Sequence, residues 1–273
     1  MRSLRYSIVD VFTSNPLEGN PLAVFTGGDG LSDATMQALA RETNLSETTF
    51  LQRAEAGGTA RLRIFTPACE LPFAGHPIIG SAWVIARSTP IHTIGFETGM
   101  GLIPVEIERD GGTLVGARMT QPEPLIGPAD VDPIALGEAL GLPLVGEPMR
   151  ANNGIRHLLC PVADVAGAHP DIRALAAYEA DTVYLWAPPQ GDELRTRMFS
   201  PLDGIAEDPA TGSAAGALGV HLLASGVVKP GRLYMLQGVE MLRPSFIEVD
   251  VEHGKPPRVG GHCVVVARGE FQL

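Results

Sequence analysis

A chain of 273 residues can hold two domains of ordinary size or one large one, and a hydrophobic content of 45% is that of a globular protein. A formal net charge of −11 without a basic stripe excludes a nucleic-acid surface, so no nucleic-acid partner is expected. Cys69, Cys160 and Cys263 are too few and too far apart for a disulfide framework or a zinc pattern, which points to a reduced, cytoplasmic setting.

The first strands are expected at Ser7–Phe12 and Leu22–Phe25, separated by the turn-rich Asn15–Pro21. Ser32, with Thr35 close behind, opens a helix running to about Glu42 that has Met36, Leu39 and Ala40 on one face. Thr48–Leu51 and Arg61–Phe65 have the β-branched and aromatic content of strands. Pro77–Ala86 is apolar throughout and reads as a buried helix, with the proline tolerated in its first turn. Strands at Gly101–Arg109 and Thr113–Met119 follow, and Gln121-Pro122-Glu123-Pro124 breaks the pattern as a linker. Beyond it come a helix at Pro133–Leu140 closed by Gly141, strands near Arg156–Cys160, Thr182–Trp186 and Arg195–Phe199, and a long apolar helix from Gly212 to about Ser225. Tyr234–Leu236, Phe246–Val251 and Cys263–Ala267 complete the strands. Helices are too few for a βαβ pattern, so the class is α+β. The first six residues contain no apolar signal region, and no apolar run approaches the ~20 residues of a membrane helix, so no membrane partner is expected.

Two stretches resemble each other. Arg63-Ile64-Phe65-Thr66-Pro67 is followed by Ala74-Gly75-His76-Pro77, and Arg197-Met198-Phe199-Ser200-Pro201 by Thr211-Gly212-Ser213-Ala214. The offset is 197 − 63 = 134, it carries Thr48–Leu51 onto Thr182–Leu185, and it becomes 212 − 75 = 137 after an insertion that includes Glu207-Asp208. A repeat of this length predicts two pseudo-symmetric domains, residues 1–118 (with 262–273 as a completing strand) and 119–261, and an active site between such halves.

The repeat also ranks the residues able to do chemistry. Gly75-His76 and Gly212-Ser213 open apolar helices, where free backbone N–H groups and the helix dipole attract anions. Gly75, Gly212 and Ser213 are therefore expected to bind a small-molecule carboxylate, although capping and close helix packing explain either motif alone. Glu47 precedes a repeated strand; it is either a solvated turn residue or a carboxylate whose apolar surroundings suit it to proton transfer. His76 reads equally as a core histidine, and Asp208, between Glu207 and Pro209, as a loop anion or Asx-turn. Cys69 and Cys160 read as buried small apolar residues rather than nucleophiles. Metal-ligand spacings, phosphate loops and dinucleotide fingerprints are missing from the sequence, and the only lysines, Lys229 and Lys255, sit in turn-like segments unsuited to a Schiff base. Neither a metal nor a cofactor is expected.

Asp10-Val11-Phe12, Pro16–Pro21, Asn44-Leu45-Ser46-Glu47-Thr48, Glu70–Pro77, Arg197–Pro201, Glu207–Ala214 and Gln237-Gly238 together resemble the PhzF-like phenazine-biosynthesis isomerases nearly end to end. The resemblance implies the diaminopimelate epimerase-like fold, two domains each a β-barrel wrapped around a central helix, usually in a homodimer. It implies a cofactor-independent isomerase acting on trans-2,3-dihydro-3-hydroxyanthranilate, with Glu47 as acid/base and His76 and Asp208 as catalytic partners. The positions of the epimerases' paired cysteines fall on Ala74 and Thr211, which disfavours racemisation by two thiols. Two rivals remain: an isomerase or epimerase of another small carboxylic acid, and a non-catalytic binding protein of the same fold.

Overall fold

The computed structural model describes residues 2–178 and 182–273. The chain is mixed α+β, as its sequence predicts, and divides into two compact units: Met1–Thr120 with Gly260–Leu273, and Gln121–Val259.

The first unit contains β1 (Ser3–Val11), β2 (Asn20–Phe25), α1 (Asp33–Thr43), β3 (Glu47–Gln52), β4 (Ala60–Phe65), β5 (Glu70–Leu71), α2 (Gly75–Ala86), β6 (Thr93–Thr98), β7 (Gly101–Asp110) and β8 (Thr113–Thr120). β1 runs antiparallel to β2, β2 parallel to β3, and β3 antiparallel to β4; β4 carries β5 and β6, and β7 and β8 follow as a meander. α1 starts where Ser32 accepts a hydrogen bond from the Thr35 N–H, and stops where Asn44 turns left-handed at φ 51°. Asparagine tolerates that conformation better than most side chains. α2 is buried along almost its whole length and packs on β1, β2, β3, β7 and β8. At Gly80 the approach is so close that a Cβ would lie 2.7 Å from Leu22 Cδ2 and 2.8 Å from Val11 Cγ2, so any larger residue would have to displace these buried side chains.

The second unit contains β9 (Leu125–Pro128), α3 (Pro133–Leu140), β10 (Met149–Asn152), β11 (Arg156–Pro161), α4 (Ile172–Leu175), β12 (Thr182–Trp186), β13 (Glu193–Ser200), β14 (Ile205–Asp208), α5 (Gly212–Ala224), β15 (Gly231–Gln237) and β16 (Ser245–Val251). β17 (Arg258–Gly261) spans the boundary, and β18 (Cys263–Gln272) pairs with β1. The core beneath β11–β13 is formed by Leu136, Leu140, Leu158, Val183, Leu185 and Phe199 with their neighbours.

The two units share pairing as well as sequence. Ala23 faces Thr48 across the parallel β2–β3 pair, and His157 faces Thr182 across β11–β12, each 157 − 23 = 182 − 48 = 134 residues later. Ile64 faces Leu71, and Met198 faces Asp208, with 208 − 71 = 137. Arg63 pairs with Glu70 and lies 5.2 Å from the centre of the Phe65 ring; Arg197 pairs with Glu207 and lies 5.1 Å from that of Phe199.

Several elements differ from the sequence reading. β1 begins at Ser3, because pairing with β18 extends it through polar outward positions. β6 and β9 were not expected; β9 follows directly on the proline-rich linker. Cys69 is exposed rather than buried, lying in the turn before β5, whereas Cys160 and Cys263 are buried. Among the described residues, no helix is long and apolar enough to cross a membrane.

Candidate active site

The left-handed turn at Asn44 redirects the chain at the end of α1, so that Ser46 lies in the bend before β3 and Glu47 opens the strand. Glu47 is not a solvated turn residue: it is 8% exposed, and its Oε2 lies 3.4 Å from Nε2 of His76. His76, the second residue of α2, is 4% exposed. The other face of its ring meets Asn20, whose Nδ2 lies 3.2 Å from Nδ1, and the Ser46 hydroxyl donates to Asn20 Oδ1 at 3.2 Å. Burial lowers the His76 pKa from 6.5 to about 3, so the ring is neutral at neutral pH and its contact with Glu47 is not an ion pair. A second tie anchors the helix to the strand: the hydroxyls of Thr49 and Ser81 are 2.9 Å apart.

Asp208 ends β14 in the second unit and is 4% exposed. Thr211 Oγ1 donates to Asp208 Oδ2 at 2.6 Å. Gln237 clasps the turn: its Nε2 donates to the Asp208 carbonyl at 2.8 Å, and its Oε1 accepts the Thr211 N–H at 3.2 Å. Gly212 and Ser213 form the first turn of α5, where Gln121 Nε2 donates to the Gly212 carbonyl and Asn153 Nδ2 to the Ser213 carbonyl. These contacts hold the start of the helix through its carbonyls and leave its N–H groups alone.

Neither long helix has a side-chain cap. Ala74 has no polar atom with which to cap α2, and Thr211 at the start of α5 spends its hydroxyl on Asp208. Uncapped first-turn N–H groups at the positive end of a helix dipole can accept a carboxylate. The structure thus gathers Glu47, Gly75 and His76 in the first unit, and Asp208, Gly212 and Ser213 in the second. Sequence reasoning missed Asn20, Ser46, Gln121 and Asn153. Asn20 read only as part of the turn-rich Asn15–Pro21, and Asn153 was not singled out, although both asparagines reach the second residue of a long helix. Among the described residues, no cluster of histidine, cysteine or carboxylate side chains has the arrangement of a metal site.

The model for phenazine biosynthesis-like proteins (PhzC-PhzF) matches residues 9–269. A trans-2,3-dihydro-3-hydroxyanthranilate isomerase of Pseudomonas chlororaphis is 43% identical over 278 residues, covering 98% of this chain and 99% of the relative. A solved structure of a predicted epimerase from Pseudomonas aeruginosa superposes with a TM-score of 0.86 at 34% identity, covering 99% of each chain. A Bacillus anthracis phenazine biosynthesis protein of the PhzF family superposes with a TM-score of 0.88 at 24% identity, covering 100% of each chain. The structural likenesses agree with the diaminopimelate epimerase-like fold class expected from the sequence.

Proposed function

We propose, from the premise that the chain belongs to the phenazine biosynthesis-like (PhzC-PhzF) family, that it is an isomerase relocating a proton on trans-2,3-dihydro-3-hydroxyanthranilate. The observation that carries this reading is the Glu47 carboxylate, nine-tenths buried and facing a neutral histidine. A carboxylate in that setting is suited to remove a carbon-bound proton and return it. Glu47 takes the proton from the ring carbon bearing the hydroxyl, and the C–H bonding pair enters the conjugated system. Protonated Glu47 then delivers the same proton to another carbon of that system. The sequence of steps consumes no oxidant and leaves the enzyme unchanged.

In the first unit His76 holds a polar group of the substrate beside Glu47 and the Gly75 N–H serves its carboxylate; in the second, Asp208 is assigned a catalytic role and the N–H groups of Gly212 and Ser213 a substrate-binding one. Fixed dipoles of this kind stabilise charge that develops in the transition state without having to reorganise. Two-thiol epimerisation lacks its groups, since Ala74 and Thr211 stand at the starts of α2 and α5. The reading extends to two domains derived from one repeat, to a cytoplasmic homodimer, and to turnover without metal or cofactor. The resemblance supports these points, and light scattering and activity after exhaustive chelation test the dimer and the cofactor independence.

The central test is Glu47→Gln, assayed by the absorbance change of dihydrohydroxyanthranilate. Turnover is expected to fall by roughly 10²–10⁴-fold, while binding of a product-like anthranilate carboxylate changes little. A folded, ligand-binding Glu47→Gln protein that isomerises at the wild-type rate would refute the assignment.

A further inference from the structure

We infer that Asn20 is a positioning residue that holds His76 in the tautomer protonated on Nε2, so that an N–H rather than a lone pair faces Glu47. The catalytic meaning of this rests on Glu47 being the proton shuttle; the tautomer itself does not. A neutral imidazole has one donor nitrogen and one acceptor nitrogen, and the partners of the two decide which is which. Here Nδ1 lies 3.2 Å from Asn20 Nδ2, and Nε2 lies 3.4 Å from Glu47 Oε2. Hydrogen positions and amide orientations follow from the network, and both ends of this one agree. Ser46 donates to Asn20 Oδ1, which turns the NH₂ group towards the ring; at the other end Nε2 and Glu47 Oε2 approach to 3.4 Å without the geometry of a formed hydrogen bond, and beside a carboxylate oxygen an N–H is favoured over a lone pair.

The alternatives conflict with the surroundings. The opposite tautomer sets an N–H against the Asn20 NH₂ and a lone pair against the Glu47 carboxylate, two repulsive contacts in a buried site. An imidazolium keeps the first of these conflicts, and burial disfavours its charge.

Asn20 is well placed to impose the choice. It is fully buried, opens β2 opposite Val11, and follows Gly19, whose φ of 67° and whose close approach to the Val11 carbonyl oppose any side chain. The backbone that presents the amide is therefore fixed. A neutral N–H orients the carboxylate without adding the positive charge that would weaken it as a base.

The test combines spectroscopy with kinetics. Protein labelled with ¹⁵N-histidine, with the His76 signals assigned by their loss in His76→Asn, should show a protonated Nε2 and a hydrogen-bonded, unprotonated Nδ1. Asn20→Asp offers Nδ1 an acceptor, so the proton should move to Nδ1 or the ring become doubly protonated. Asn20→Ala should lower kcat roughly 10-fold and Asn20→Asp roughly 100-fold, with smaller changes in KM. A wild-type ring protonated on Nδ1, or an Asn20→Asp protein whose His76 remains singly protonated on Nε2, overturns the inference. If the Asn20 variants fail to fold, the wild-type spectrum alone decides. A fully active Glu47→Gln protein refutes the shuttle reading instead, and the two failures are distinguishable because the wild-type tautomer is read without turnover.

Discussion

Acidification should destabilise this protein well before its ordinary carboxylates titrate. His76 and His157 are 4% and 0% exposed, and burial lowers each from 6.5 to about 3. The sign follows from proton counting. Between these values the unfolded chain binds a proton at each ring and the folded chain does not, so the stability contribution is complete above pH 6.5 and is lost as pH falls towards 3. Each group changes stability by about 1.36 kcal/mol per pH unit in that window, so at pH 5 each has lost about 2 kcal/mol and the pair about 4. His221, also lowered by burial, adds in the same direction. Against a typical stability of roughly 5–15 kcal/mol this is a large fraction. Urea unfolding at pH 8, 6.5 and 5 and constant ionic strength measures it. His157→Asn, which keeps a donor for the Thr182 hydroxyl that now lies 2.6 Å from Nδ1, should halve the pH dependence due to the pair. Unfolding free energies that agree within about 1 kcal/mol between pH 8 and 5 would show that both rings are protonated or solvated in the native protein, and would remove the basis for a neutral His76.

Gly238→Ala should destabilise the protein by roughly 1–3 kcal/mol, because Gly238 has a φ of 76° and its Cβ would meet the Arg243 and Pro209 carbonyl oxygens at 2.5 and 2.6 Å. The same change displaces Gln237 from Asp208 and Thr211, so isomerase activity should fall more than stability alone explains; unchanged melting and activity would refute both points. Cys69 should react with a thiol reagent in the native protein, while Cys160 and Cys263, buried and with their pKa values pushed up by desolvation, react only on unfolding. Mass spectrometry after timed labelling distinguishes the three.

What was legible in the sequence was whatever local chemistry dictates. Pro133–Leu140 was readable because Asp132 accepts from the first-turn N–H groups and Gly141 closes the helix at φ 74°. The apolar helices α2 and α5 were readable because glycine stands at the head of an apolar run in each, although the expected Pro77–Ala86 begins two residues inside α2. Long-range pairing was harder to see. Ser3 and Arg5 look like solvated residues until β18 pairs with them, and Thr93–Thr98 becomes a strand by lying beside β4 and β7. In the site, Glu47 and His76 were identifiable from motifs, but their contact brings together the start of β3 and the start of α2. The supporting Asn20, Asn153 and Gln121 were not identifiable, since each acts on a helix start 56, 60 or 91 residues away. Nothing about an asparagine beside a proline or glycine distinguishes that role from an ordinary turn.

The repeated arginine constellation gives a test in which one chemistry occurs at two depths. Arg63 binds Glu70 and Asp33 with its side chain 14% exposed, but those carboxylates are 40% and 82% exposed and exchange readily with water. Arg197 is 7% exposed, Glu207 is 19% exposed, and the guanidinium also donates to the carbonyls of Val165 and Ala168 at 3.1 and 2.9 Å. Removing Arg63 leaves carboxylates that water can solvate, so Arg63→Met should cost about 1 kcal/mol or less, in the range of exposed pairs. Removing Arg197 leaves Glu207 partly buried without its cation and takes the guanidinium donor from the Ala168 and Val165 carbonyls, the second of which keeps only the Ala168 N–H, so Arg197→Met should cost roughly 3–5 kcal/mol. Both variants keep the aliphatic stem that packs near the Phe65 or Phe199 ring, so the difference isolates the charge and its hydrogen bonds. Paired urea titrations at low and high salt decide the matter: the Arg63 effect should shrink with salt and the Arg197 effect persist. Equal costs, or an Arg197 effect abolished by salt, would mean that the two sites are equally open to water and that burial does not set the difference.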